Sequence, residues 1–161
     1  MSGLTYDFMY RTNVDAAYRK TKVQQAESLK DFVDILSKLP LEFSPGDKWN
    51  YSVSTDVLGY LVEVLSGMEL EDYFKKYIFT PLEMNDTSFS CPKNKLDRLC
   101  SLYEHDPVGI PKLLEIPFLN TRMASGGGGL FSTMHDYHNF CHMLLHDGEF
   151  EGKRIIWRKT L

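Results

Sequence analysis

A chain of 161 residues, 43% hydrophobic and 25% charged, has the size and composition of one globular domain. Its 18 basic residues are mixed among 22 acidic ones for a formal charge of −4, so no basic stripe is available for a phosphate backbone and nucleic acid is not an expected partner. No run approaches the roughly 18 apolar residues of a membrane-spanning helix, and the cysteines Cys91, Cys100 and Cys141 contain no CxxC pair, which argues for free thiols over a disulfide framework or a zinc ribbon.

Residues 1–27 are mixed and polar, with Tyr6, Phe8, Met9 and Tyr10 clustered early, and read as a loop with one weak helical turn. The first clear helix is predicted from Ser28 to Leu39: Ser28 can cap it, Leu29, Phe32, Val33 and Leu36 fall on one face, and Pro40 ends it. Pro45-Gly46 then marks a sharp turn that delivers Trp49, Tyr51 and Ser52 to one spot, just before a second helix that Ser54 or Thr55 can cap. The plain structural reading of this stretch is a tight, aromatic-anchored loop whose Tyr51 hydroxyl bonds a neighbour. The chemical reading makes Tyr51 a catalytic phenol.

Leu58, Leu61, Val62 and Leu65 form one stripe on the second helix, and Gly67 supplies its stop. A third helix, about Leu70 to Ile78, carries Leu70, Tyr73, Phe74, Tyr77 and Ile78 at helical spacing as core residues, and Pro81 closes it. Residues 85–124 are punctuated by Pro92, Pro107, Gly109, Pro111 and Pro117, and read as loops or strand fragments. Gly126 to Gly129 could cradle a phosphate, but the Lys-Ser/Thr of a P-loop is missing, so close backbone packing or positive-φ turns are expected there. The last clear helix, about Thr133 to Asp147, is capped by Ser132 or Thr133. It carries His135, His138, His142 and His146 in one stripe, with Met134, Tyr137, Cys141, Leu144 and Leu145 on the other side. The pairs His138/His142 and His142/His146 have the i, i+4 spacing of helical zinc ligands. No Glu follows the first His, and a solvated polar face is the expected role, with no metal bound.

Taken in order, Leu39-Pro40-Leu41, Phe43, Pro45-Gly46, Trp49, Tyr51-Ser52, Leu58-Gly59, Glu63, Ser66-Gly67, Phe79, Pro81-Leu82, Met84, Asp86-Thr87 and Phe89 resemble the β-lactamase-related serine hydrolases, which include class C β-lactamases, penicillin-recognising peptidases and esterases. Gly127-Gly128-Gly129-Leu130, Ser132-Thr133, Asp136-Tyr137, Met143-Leu144-Leu145, Gly148, Gly152 and Ile155 are similar to the later block of the same family, and Ser2-Gly3-Leu4 to the end of its His-Thr-Ser-Gly-Leu segment.

The resemblance implies a nucleophilic serine from a Ser-x-x-Lys motif that forms an acyl-enzyme on an ester or amide, with Tyr51 matching the tyrosine of the second motif as general base and Ser52 a weaker candidate whose hydroxyl bonds the local backbone. A phenol titrating near 10 becomes a usable base only where nearby cations favour its anion, and the resemblance implies that the motif lysine supplies one. Val53 stands where class C β-lactamases have an Asn side chain toward substrate, which points to the esterase and transesterase branch. Ser90-Cys91-Pro92-Lys93 matches Ser-x-x-Lys in letters only, because it follows the tyrosine motif and lies in a broken stretch.

The resemblance further implies that residues 1–161 are a partial domain, truncated at both ends and lacking the nucleophile and the third motif. The expected structure is mainly α, the helical region of an α/β (α+β) β-lactamase/transpeptidase-like fold with apolar faces uncovered. No cofactor is expected, and the partner is a small ester or amide in the intact protein. Compartment and oligomeric state are left open, as are two alternatives: a non-catalytic family member acting as a binding module, and a helical metal-binding protein using the histidine stripe.

Overall fold

The computed structural model describes residues 1–105, 109–115 and 123–161. The chain divides into two compact units, the described residues of Met1–Lys76 with Arg122–Gly128, and those of Tyr77–Thr121 with Gly129–Leu161.

The first unit holds α1 (Asn13–Thr21), α2 (Leu29–Leu36), α3 (Ser54–Ser66) and α4 (Leu70–Phe74). Helix α1 corrects the expectation of a loop over residues 1–27. Its start is a reciprocal capping box, in which the Thr12 hydroxyl accepts from the Val14 and Asp15 amides while the Asp15 carboxylate accepts from the Thr12 amide at 3.1 Å. Asp15 also accepts from Arg11 N–H and pairs with Arg19 at 3.2 Å. Burial pulls the Asp15 carboxyl up, but these partners outweigh it and hold the group below its usual range. Helix α2 is capped by Ser28, which accepts from the Asp31 amide at 3.1 Å, and buries Leu29, Phe32 and Leu36 as its periodicity predicts. Phe32 and Leu36 join Tyr6, Tyr18, Val23, Ala26 and Val53 in the core of this unit.

Helix α3 departs from its sequence reading in two ways. Val53 rather than Ser54 or Thr55 occupies the cap position, with no side-chain cap, and the inward face is made of Asp56 and Gly59. Leu58, Leu61, Val64 and Leu65 point outward, Leu65 with 78% of its surface exposed. Gly59 is inward because the backbone of Gly126 passes against it, where a Cβ would come within 3.3 Å of the Gly126 Cα. Gly67 ends the helix in the left-handed region at φ 68°, as its position suggests. The third predicted helix is shorter than expected: α4 stops at Phe74 and gives way to a π-turn over Lys75–Phe79. The wider turn rotates the following side chains off the α stripe, and Tyr77 is exposed rather than core.

The second unit contains a 3₁₀ turn at Lys93–Arg98, the antiparallel hairpin β1 (Leu102–His105) and β2 (Pro111–Leu114), α5 (Met134–Leu145), and the short hairpin β3 (Glu149–Phe150) and β4 (Lys153–Arg154). Pro107 and Pro117, read as punctuation of this region, lie outside the described residues. Thr133 caps α5, accepting from the Asp136 amide at 3.2 Å. The buried arc of α5 is Asp136, Asn139 and Met143, while Met134, Tyr137, Cys141, Leu144 and Leu145 are exposed. Polar side chains face inward because each meets a backbone group: Asp136 accepts from the Asp86 amide at 2.7 Å and the Thr87 hydroxyl at 2.8 Å, and Asn139 donates to Leu82 C=O at 3.0 Å. Among the described residues no helix is long and apolar enough to cross a membrane.

Candidate active site

The loop bearing Tyr51 is held by the first residues of the chain. Glu42 N–H donates to Gly3 C=O at 2.8 Å, Gly46 N–H to Met1 C=O at 2.9 Å, and Val53 N–H to Thr5 C=O at 3.4 Å. The Asn50 side-chain amide adds a bond to Leu4 C=O at 2.9 Å. Gly46 sits at φ 98°, the conformation the Pro45-Gly46 turn calls for. Gly3 is at φ 80°, and a Cβ there would fall 2.3 Å from Phe43 C=O, so only glycine lets the two segments lie side by side.

Trp49 does not anchor this loop; 77% of its surface is exposed. The anchors are the backbone bonds and Val53, whose side chain is wholly buried in the core instead of facing outward toward a substrate. Ser52 turns away from the local backbone expected for it. Its Oγ lies 2.7 Å from Ser54 Oγ, which lies 2.6 Å from Ser2 Oγ, giving a row of three hydroxyls.

Tyr51 is 56% exposed and meets a residue the sequence reading passed over. Its ring lies 5.0 Å from that of Tyr6, tilted by 43°. Phe8 stacks on the other side of Tyr6 at 4.7 Å. Below Tyr6, at the start of α3, the buried Asp56 carboxylate accepts from the Ser125 hydroxyl and, at 3.3 Å, from the Gly127 amide. Burial pushes the Tyr6 phenol up, and the neighbouring Asp56 charge and Tyr51 push it further, while the Thr55 hydroxyl opposes them. Tyr6 directly follows Ser2-Gly3-Leu4-Thr5, and Asp56 lies in the first turn of α3; those two positions were the signals available in the sequence.

The glycine run belongs to this cluster and not to an anion site. A Cβ on Gly126 would fall 2.2 Å from Thr55 C=O. One on Gly127 would lie among Asp56 Oδ2, Thr55 Oγ1 and Tyr6 Oη at 3.0, 3.1 and 3.4 Å.

Ser90 and Lys93 do not share a helical turn, since Pro92 between them is extended at φ −59°, ψ 142° and the 3₁₀ turn starts at Lys93. The histidine stripe also differs from a ligand set. His142 and His146 pack ring to ring at 4.0 Å, His138 lies 6.0 Å from His142, and Phe150 meets His142 edge-on at 5.9 Å. The stripe is therefore an aromatic stack along α5, and among the described residues no group of three His, Cys, Asp or Glu side chains is arranged to hold a metal ion.

An uncharacterized protein of Mycobacterium tuberculosis (strain CDC 1551 / Oshkosh) is 32% identical over 163 residues, covering 96% of this chain and 39% of its own length. Lovastatin esterase of Penicillium rubens is 32% identical over 155 residues, covering 89% of this chain and 37% of the esterase. Among solved structures, a mutant simvastatin synthase from Aspergillus terreus superposes with a TM-score of 0.78 at 26% identity, over 99% of this chain and 36% of the synthase. The chain thus spans less than half the length of these relatives, and the fold they share with it is β-lactamase/transpeptidase-like. Residues 1–160 match the family described as Beta-lactamase, and the chain belongs to that serine-hydrolase-like family.

Proposed function

We propose that this chain carries the second-motif part of the active site of a serine hydrolase or acyltransferase, acting on esters or amides through an acyl-enzyme, with Tyr51 as the general base. Both compact units are assigned to one family domain, and the attacking serine with its lysine to a Ser-x-x-Lys motif outside these 161 residues. The observation that carries the reading is the placement of Tyr51. Its side chain is exposed just before α3, while its ring packs against that of the buried Tyr6. The base of such a reaction needs both properties, access to the reacting proton and a fixed direction of approach. In the acylation step the serine oxygen bonds to the carbonyl carbon as its proton passes to Tyr51 Oη; the phenol then gives that proton to the departing alcohol or amine. The likeness to lovastatin esterase and simvastatin synthase favours an ester substrate and an alcohol leaving group.

The test is Tyr51→Phe in the full-length protein encoded at the native locus. The ring and its packing stay, so stability should change by about 1 kcal/mol, the worth of one hydrogen bond. Turnover of a p-nitrophenyl ester should fall by about 10²- to 10⁴-fold, the usual contribution of a general base. Retention of most of kcat with an unchanged circular dichroism spectrum would overturn the assignment.

A further inference from the structure

We propose that Ser54 is a positioning residue for Tyr51: its hydroxyl locks that of Ser52, the residue after the phenol, to Ser2 of the first segment, and so fixes the backbone from which Tyr51 projects. This rests on the reading of Tyr51 as general base and adds the device that aims it. Tyr51 has solvent on 56% of its surface, so its direction depends on the residues on either side.

Both neighbours of Tyr51 are tied by side chains to residues 2–4. Before it, the Asn50 side-chain amide donates to Leu4 C=O at 2.9 Å. After it, Ser52 Oγ lies 2.7 Å from Ser54 Oγ, which lies 2.6 Å from Ser2 Oγ. Ser2 Oγ in turn accepts from the Leu4 amide at 3.3 Å, which holds the Ser2 side chain over its own segment. Both oxygen–oxygen distances are those of good hydroxyl hydrogen bonds, and bonds in a row polarise one another. The backbone bond beside the row, from Val53 N–H to Thr5 C=O, is long at 3.4 Å, so the side chains carry the attachment.

Ser54 is the link because of where it sits. It is the first residue of α3, and Val53 occupies the cap position, so the Ser54 hydroxyl is not spent on capping the helix. It is instead the hydroxyl shared by the loop and the chain start. A helix is a more rigid mount than a loop, and the row passes that rigidity to Ser52 and hence to the Tyr51 peptide. Alanine suits a helical position, and the half-buried Ser2 and Ser52 hydroxyls can turn to water. Removing the Ser54 hydroxyl therefore loosens the loop without unfolding α3.

The experiment is a double-mutant cycle in the full-length protein, read by turnover of a p-nitrophenyl ester. Ser54→Ala should lower kcat by about 10- to 100-fold, the scale of a misplacement near 1 Å, with KM changed by less than about twofold. In a Tyr51→Phe background the same substitution should lower kcat by less than about twofold, because the hydroxyl that it aims is gone. Ser2→Ala removes the far end of the row and leaves Ser52 bonded to Ser54, so it should show the same pattern with a smaller loss. Ser54→Thr keeps a hydroxyl and should restore most of kcat. Equal losses with and without the Tyr51 hydroxyl, or an unchanged kcat in both alanine variants, overturn the proposal. Incorporated 3-fluorotyrosine gives a readout besides activity: the Tyr51 ¹⁹F resonance, assigned by its loss in Tyr51→Phe, should narrow in Ser54→Ala as the ring gains motion. An unaltered resonance also overturns the positioning role. Full activity in Tyr51→Phe is a different failure: it removes the general-base reading, while the fluorine resonance still decides whether the row holds Tyr51.

Discussion

The amide of Gly127 donates to Asp56 Oδ1 at 3.3 Å, a bond between residues 71 positions apart. It draws the glycine run so close to the first turn of α3 that Gly126 leaves no room for a Cβ against Thr55 C=O, which would lie 2.2 Å away. Gly126→Ala should therefore destabilise the first unit by about 1–3 kcal/mol, the range for overpacking a site that cannot relax. Urea unfolding followed by circular dichroism measures this. A midpoint equal to that of the parent would mean the approach is looser than described.

Asp86 is bridged by Lys95 and by Arg98 Nη2 at 2.9 Å, and these two cations lower its carboxyl to about 2. A carboxyl whose folded value lies below its unfolded value stabilises the fold above the unfolded value, near 3.9, and that contribution fades as pH falls toward the folded one. The loss is expected between about pH 4 and pH 2. Asp86→Asn should flatten the dependence of stability on pH in that window while leaving the Asp86 amide bonded to Asp136. Since the pair is partly exposed, added salt should reduce the difference between the two proteins. Parallel acid-denaturation curves for both would contradict this account.

The 161-residue chain by itself should hydrolyse neither a p-nitrophenyl ester nor a cephalosporin reporter faster than buffer. Ser90 and Lys93 are separated by the extended Pro92 and cannot act as nucleophile and base on one turn. Turnover abolished by Ser90→Ala would reverse that conclusion.

After dialysis the protein should retain no stoichiometric zinc or nickel. His142 and His146 stack at 4.0 Å, and a metal would have to part these rings. One retained equivalent, lost in His138→Ala/His142→Ala, would restore the metal-binding reading.

Sequence alone determined the features that depend on near neighbours. The period of Leu29, Phe32 and Leu36 predicted α2 and its buried face, Ser28 identified its cap, Ser132-Thr133 narrowed the cap of α5 to two residues of which the structure uses Thr133, and Pro45-Gly46 identified the turn before Tyr51. The order of short motifs determined the family, because each motif records a local backbone need. Tertiary structure decided which faces point inward. Periodicity tells which residues share a side of a helix, but the side turned to the core depends on what waits there: α3 turns Asp56 and Gly59 inward to meet Ser125, Gly126 and Gly127, and α5 turns Asp136 and Asn139 to backbone groups 50 and 57 positions away. Helix α1 was illegible for a related reason, since Thr12 and Asp15 cap it in a stretch whose polar composition hides its single fully buried aromatic, Tyr18. The partnership of Tyr6 with Tyr51 joins two loops across 45 positions by adjacency in space, and no spacing rule along one helix or strand reports such a contact.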